Sequence, residues 1–361
     1  MQGAKKQQFF TKSLLDWFEQ NDRPLPWKGE KNPYLVWLSE IILQQTRVEQ
    51  GLPYFERFRE AYPKVQDLAN APEDEVMKLW EGLGYYSRAR NLHFTAKYIT
   101  NELNGEFPTT YEAIIKLKGI GAYTAAAIAS FAHDLPHAVV DGNVYRVLAR
   151  IFGIQTAIDS TAGKKEFAEL AQELLAKKDA AKYNQAIMDF GATHCTPKAP
   201  RCSECPMQQH CTAFAAGLVD VLPYKAKKLK KRDRYFHYFI FNHQKTVLIQ
   251  KRIQKDIWQN LYEFPMLETP RLMRDRREVL EEKNWQDILK KGRILRISKP
   301  FKQVLSHQNI YATFWEFEYD AAVKLSTQGA FAVDRKGIHN YAFPRVIDRY
   351  LQEKNTSLEL F

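Results

Sequence analysis

Cysteine is almost absent from this chain: its 361 residues hold four, all between positions 195 and 211. Clustering of that kind excludes a scattered disulfide framework and points to metal ligation instead. Long apolar runs are also missing, and the lysines near the N-terminus are not followed by an apolar stretch, so neither a membrane span nor a secretory leader is expected. Glycine and proline, 16 each, are too sparse for a low-complexity tract, and no internal repeat is visible. Negative charge is in short supply: 42 acidic against 53 basic side chains leave a net charge of +11, which favours a polyanionic partner without specifying one. What is present is ordinary for a globular protein, 45% hydrophobic and 26% charged, and the length suits two domains, each able to bury its own core.

Apolar residues recur at helical spacing, between Pro, Gly and Asn punctuation, over 9–20, 34–50, 73–81, 88–103, 111–117, 123–132, 144–152 and 164–176. The first domain, 1–221, is therefore expected to be mainly α. Residues 225–234 hold seven basic side chains and one acidic, Asp233, so 222–234 reads as a basic linker. Beyond it, 235–242, 246–251, 294–298 and 309–319 are rich in aromatic and β-branched residues, while 272–283 and 345–354 look helical. The second domain, 235–361, is expected to be α+β.

The cysteines follow the pattern Cys195-x6-Cys202-x2-Cys205-x5-Cys211. Four thiolates so close in sequence can surround one tetrahedral zinc or a cubane cluster, and spacing leaves both open. His194 and His210 adjoin ligand positions and could substitute as ligands, but read rather as solvent-facing or phosphate-contacting. At the end of an α domain, this spacing resembles the iron-sulfur loop of the endonuclease III and MutY group. The resemblance implies one 4Fe-4S cluster, of structural use, with Lys198 and Arg201 of the same loop meeting the DNA backbone.

Upstream, Leu117-Lys118-Gly119-Ile120-Gly121-Ala122-Tyr123-Thr124-Ala125 sets Gly119 and Gly121 in a tight turn that opens into a helix. Backbone N–H groups at a helix start can converge on an anion, here a DNA phosphate, although such a turn also serves as a plain helix connection. The apolar run Ala138-Val139-Val140 then leads into Asp141-Gly142-Asn143, where Asp141 by itself reads as an N-cap. The hairpin followed about 20 residues later by this aspartate resembles the helix-hairpin-helix glycosylase superfamily. There the aspartate stabilises the positive charge that develops on the sugar as a base leaves.

Glu40 lies in Leu35-Val36-Trp37-Leu38-Ser39-Glu40-Ile41-Ile42-Leu43, apolar on nearly every side. Burial among such neighbours raises a carboxyl's pKa toward the range useful for proton donation, and a salt-bridged structural glutamate is the plainer alternative. Ser39-Glu40, Leu43-Gln44-Gln45-Thr46, Trp80-Glu81-Gly82-Leu83-Gly84-Tyr85-Tyr86-Ser87-Arg88 and Leu25-Pro26-Trp27 together resemble the MutY-type adenine DNA glycosylases. By that resemblance Glu40 protonates the departing adenine and then activates water, Asp141 supports the sugar cation, and Tyr123 and Asn143 line the pocket. Gln45, Thr46, Leu83 and Tyr85 face the lesion opposite the adenine, and the partner is duplex DNA with an A:8-oxoguanine or A:G mispair. The expected enzyme is a monomer of the bacterial cytoplasm, working at the nucleoid.

An endonuclease III-like glycosylase that nicks DNA through a lysine Schiff base is the main alternative. That family has lysine where this chain has Tyr123, and imine chemistry needs an amine, so a monofunctional enzyme is expected. A non-catalytic DNA-binding protein on the same scaffold is disfavoured by the two carboxyls. In the second domain, Trp258-Gln259-Asn260-Leu261-Tyr262-Glu263-Phe264-Pro265 resembles a segment of Nudix hydrolases, and Arg277-Glu278-Val279-Leu280-Glu281-Glu282 echoes their metal-binding helix. The remaining signature positions fall on Glu263, Thr269 and Asn284, which argues against a working pyrophosphatase. Leu305-Ser306-His307-Gln308 resembles the Phe-Ser-His loop with which MutY-type enzymes detect 8-oxoguanine; Ser306 and His307 can hydrogen-bond a purine edge, and Leu305 replaces the aromatic residue.

Overall fold

The computed structural model describes residues 2–226, 230–273, 275–325 and 329–358. Residues 227–229 of the expected linker lie outside that set. The chain divides into two compact units, one formed by Met1–Asn70 with Asn91–Lys228, the other by Ala71–Arg90 with Leu229–Phe361.

The first unit is helical. Its longer helices are Gln2–Gln20, Pro33–Leu43, Val48–Ala61, Ala122–His133, Gly142–Phe152, Thr161–Leu174 and Ala180–Asp189, together with most of Ser87–Glu102. Capping explains several starts: Asn32, Asp141 and Ser160 each accept a backbone N–H of the first turn through the side chain. The expected helix over 34–50 is broken. Pro33–Leu43 ends at Gln44, Gln45 takes the left-handed region at φ +54°, and a new helix starts at Val48. The Thr46 hydroxyl bonds back to the Gln44 carbonyl, a local competitor for helix hydrogen bonds that periodicity does not register. One core joins the N-terminal helix to the helices over 142–189 through Phe10, Leu14, Trp17, Val147, Phe167, Tyr183 and Phe190, and it includes Met207, Cys211 and Ala213. The cysteine loop is thus a part of that core's wall.

The second unit is built on a mixed sheet. Among the described residues its strands are β1 (Arg232–His243), β2 (Thr246–Lys251), β3 (Tyr262–Glu263), β4 (Met266–Thr269), β5 (Arg293–Ile297), β6 (Phe301–Val304), β7 (Gln308–Glu318) and β8 (Ala330–Asp334). They run in the order β3-β2-β1-β7-β5, with β4 on β1, β6 on β7 and β8 on β2. Only the central pair is parallel among these pairings, in register from Arg232 opposite Gln308 to Asn242 opposite Glu318. One face packs Phe239, Phe241, Trp315 and Phe317 on Val279 and Leu289 of the short helices Arg276–Leu280 and Gln286–Leu289. On the other face Tyr238 stacks on Phe314, and Phe314 on Tyr350 of helix Arg345–Leu358, at 5.3 and 4.0 Å between ring centroids. Covering on both faces explains why β1 and β7 are buried almost throughout rather than at alternate positions. The helix expected over 272–283 is reduced to Arg276–Leu280, starting at the Asp275 cap, and residue 274 lies outside the described set.

Candidate functional site

Glu40 projects from helix Pro33–Leu43 and is only 5% exposed. The Tyr123 hydroxyl, on the helix that follows the glycine hairpin, donates to Glu40 Oε2 at 2.6 Å. Burial pushes the Glu40 carboxyl up to about 7, the tyrosine hydrogen bond pulls it down, and the charge of Asp141 pushes it further up. Near neutrality it therefore holds a proton for part of the time and is a carboxylate for the rest, as a group that first donates and then accepts requires.

Asp141 is the cap of helix Gly142–Phe152. Its Oδ1 accepts from Val144 N at 2.7 Å and its Oδ2 from Asn143 Nδ2 at 2.8 Å. Burial raises its pKa, while these two bonds and the Arg146 guanidinium oppose that rise. The N-cap and the active-site readings of Asp141 are therefore compatible. Glu40, Tyr123, Asp141, Asn143 and Thr46 all line one cavity of about 450 Å³ in the first unit. Lys28, Gln185 and Asp189 line it too. Composition does not single these three out; Gln185 and Asp189, four apart, sit on helix Ala180–Asp189, for which the sequence raised no helical expectation.

At the hairpin, Gly119 takes φ +82°, and a Cβ there would stand 2.6 Å from the Cβ of Asn91. Gly121 caps helix Ala122–His133 without a side-chain hydrogen bond and faces open space, so the first N–H groups of that helix are not claimed by a side chain at the cap. Gln45 is exposed between two helices.

In the second unit, Tyr85 is 46% exposed at φ +50°, and its hydroxyl is 2.7 Å from Ser306 Oγ. A non-glycine residue held in this backbone region invites a functional reading. His307 is exposed in the turn between β6 and β7, beside half-buried Ser306. Leu83, by contrast, is 5% exposed. Within the Nudix-like segments, Glu263 pairs with Arg252 at 2.5 Å and Glu278 with Arg271 at 2.6 Å.

The four cysteines, none of them in a disulfide, follow a π-helical turn, Phe190–His194. Burial and the neighbouring sulfurs push Cys202, Cys205 and Cys211 up, Cys205 to about 12, so the four sulfurs feel one another. Among the described residues no three His, Cys, Asp or Glu side chains group closely enough to hold a single metal ion. In a cubane each cysteine binds its own iron, and four free cysteines in one loop are a donor set that fits such a cluster. Arg150 Nη1 donates to Cys195 Sγ at 3.4 Å. One turn earlier on the same helix, Arg146 donates to the carbonyl of Cys195 at 2.8 Å and to Asn143 Oδ1 at 2.8 Å. Asn143 in turn donates to Asp141, so a hydrogen-bond chain runs from the cysteine loop to the half-buried Asp141 carboxylate. The spacing of Arg146 and Arg150, four apart on an amphipathic helix, is the signal that could have revealed them.

A glycine hairpin, two carboxyls lining one cavity and a four-cysteine loop define a base-excision repair protein. Residues 38–177 match the HhH-GPD superfamily of base excision DNA repair proteins, 195–211 the iron-sulfur binding domain of endonuclease III, and 237–353 the NUDIX domain. The cysteine loop is accordingly an iron-sulfur loop fit for one 4Fe-4S cluster. The adenine DNA glycosylase of Buchnera aphidicola subsp. Schizaphis graminum is 34% identical, over 95% of this chain and 98% of its own. That of Mus musculus is 44% identical over 59% of this chain and 44% of its own. A thermostable thymine-DNA glycosylase of known structure superposes with a TM-score of 0.56 at 29% identity, covering 60% of this chain and all of that one. The chain belongs to the adenine DNA glycosylase family. Among the described residues, no helix is long and apolar enough to cross a membrane.

Proposed function

We propose that this DNA glycosylase hydrolyses the N-glycosidic bond of adenine opposite 8-oxoguanine or guanine in duplex DNA, and that it is monofunctional. The observation that carries the proposal is the buried Glu40 carboxyl, raised to about 7, in one cavity with Asp141. Protonated Glu40 donates to the leaving base; as a carboxylate it then takes a proton from the attacking water. Asp141 faces the positive charge that grows on the sugar. The donors at Val144 N and Asn143 Nδ2 favour its anionic form, so two carboxyls in one cavity divide acid and electrostatic work.

Tyr123 holds Glu40 and offers no amine, which favours hydrolysis over a Schiff base. Lys28 also lines the cavity, but its Nζ is committed to Asp22 and Asp189. We assign 1–221 to catalysis, 222–234 to a basic linker whose last three residues already enter β1, and 235–361 to lesion recognition in a monomer acting at the bacterial nucleoid. In the first unit Gln45 and Thr46 are assigned to the lesion; in the second, Leu83, exposed Tyr85 and the Ser306-His307 turn are, with Tyr85 bonded to Ser306 in support. Gly119 and Gly121 are assigned to a DNA phosphate.

The test is single-turnover excision on A:8-oxoguanine, A:G and thymine-glycol duplexes, with borohydride added in parallel. Adenine release without a trapped adduct is expected. Excision of thymine glycol with efficient trapping would favour the endonuclease III-like alternative, and no release from any duplex the non-catalytic one.

A further inference from the structure

In the second unit a cluster of buried charges adjoins the turn that carries Ser306 and His307. Arg234, on β1, is 9% exposed, and each of its five N–H donors meets an acceptor. Two reach Glu268, from Nε at 2.7 Å and from Nη2 at 2.6 Å. Two more reach Asp256, from Nη1 at 2.9 Å and Nη2 at 2.8 Å, and Arg252 Nη2 also donates to Asp256, at 3.0 Å. A pair of such forks fixes a planar guanidinium in both place and orientation. The fifth N–H, on Nη1, is donated at 3.2 Å to Oε1 of Gln308, the residue that follows His307 and opens β7.

A guanidinium donates and cannot accept, so an amide facing it must present its carbonyl. The NH2 group of half-buried Gln308 is then the end left to the cavity of about 430 Å³ that Gln308 lines together with Tyr85, Ser306 and His307. A hydroxyl or a neutral imidazole can exchange donor and acceptor roles, whereas an amide NH2 only donates. A donor of fixed orientation selects for an acceptor, and 8-oxoguanine has a keto oxygen on C8 where guanine has only a C–H. We infer that Arg234 is a positioning residue for lesion discrimination: it turns the Gln308 amide so that the NH2 group donates to the C8 oxygen of 8-oxoguanine. This rests on the lesion reading of the Ser306-His307 turn given above. With the guanidinium gone, Gln308 is free to turn its carbonyl to the cavity, where it would set lone pairs against that oxygen.

The experiment compares single-turnover excision of adenine opposite 8-oxoguanine and opposite guanine in otherwise identical duplexes. In Gln308→Leu the ratio of the two rates is expected to fall about tenfold, the worth of roughly one hydrogen bond. Arg234→Lys keeps a cation between the two carboxylates but loses the forks and the hold on Gln308, so the ratio should fall in the same direction by less. Adding Arg234→Lys to Gln308→Leu should change the ratio no further. A purely structural Arg234 would lower both rates together and leave the ratio alone. A folded Gln308→Leu or Arg234→Lys protein with the wild-type ratio overturns the inference, as does an Arg234→Lys effect on the ratio that persists in the Gln308→Leu background. Should Arg234→Lys fail to fold, Asp256→Asn, which loosens one fork, takes its place, and an unchanged ratio there overturns the inference equally. A wild-type protein that excises adenine equally from both duplexes defeats the underlying lesion reading instead, before any variant is made.

Discussion

Glu40 is where sequence and structure meet most directly. Its apolar neighbours announced burial, but only the fold supplied Tyr123 and Asp141, which come from distant positions and pull its pKa in opposite directions. Because the folded value, about 7, lies above the ordinary 4.5, folding favours the protonated form. Its contribution to stability is complete below about pH 4.5 and is lost as pH rises through 7, by on the order of 3 kcal/mol in all. Glu40→Gln should therefore stabilise the protein at pH 8, read by denaturant unfolding, while excision falls about 10²–10⁴-fold with DNA binding retained. Equal stability of the two proteins at pH 5 and at pH 8 would contradict the shift. Tyr123→Phe removes the hydrogen bond that lowers Glu40, so the limb on which excision declines with rising pH should move upward.

At the scale of elements, helix Gly142–Phe152 does two jobs with one end. Asp141 caps it and faces the cavity, so the two roles separate by substitution. Asp141→Asn retains a capping side chain and should change stability by under about 0.5 kcal/mol, whereas Asp141→Ala should cost about 1 kcal/mol. Both should lose most excision activity, since neither keeps the charge; an active Asp141→Asn protein would remove the electrostatic role. The hairpin preceding helix Ala122–His133 has its own asymmetry. Gly119→Ala places a Cβ in the left-handed region and against Asn91, and should destabilise by more than about 1 kcal/mol, while Gly121→Ala, at φ −98° with open space, should fold normally. Paired thermal melts check this. Periodicity located most of these helices because each buries one apolar stripe. It failed at Gln44–Arg47, where a side-chain hydrogen bond and a left-handed residue end a helix without proline or glycine.

For the molecule as a whole, the iron-sulfur loop is a structural wall rather than an appendage, with Met207, Cys211 and Ala213 in the same core as Phe10 and Trp17. Cys202→Ser should lower iron content and the unfolding temperature together. Through the chain from the Cys195 carbonyl by Arg146 and Asn143 to Asp141, it should also lower excision. Iron analysis, thermal melts and single-turnover rates on one preparation test the three effects. Loss of iron with an unchanged melting temperature would show that the loop stands without its cluster.

The sequence by itself determined the chemistry available: four clustered thiolates, a glycine hairpin, an aspartate at a helix start and a carboxyl among apolar neighbours. These are local features, legible because helix caps, turns and ligand spacing act over a few residues. Tertiary structure alone decided which of them meet. Glu40 and Tyr123 are 83 residues apart and share a 2.6 Å hydrogen bond; Tyr85 and Ser306 are separated by 221 residues and lie 2.7 Å apart. Lys28 finds Asp189 in the wall of the same cavity in the same way. Such pairings depend on how helices and sheet pack around their cores, a property of the whole chain that no short window of sequence contains.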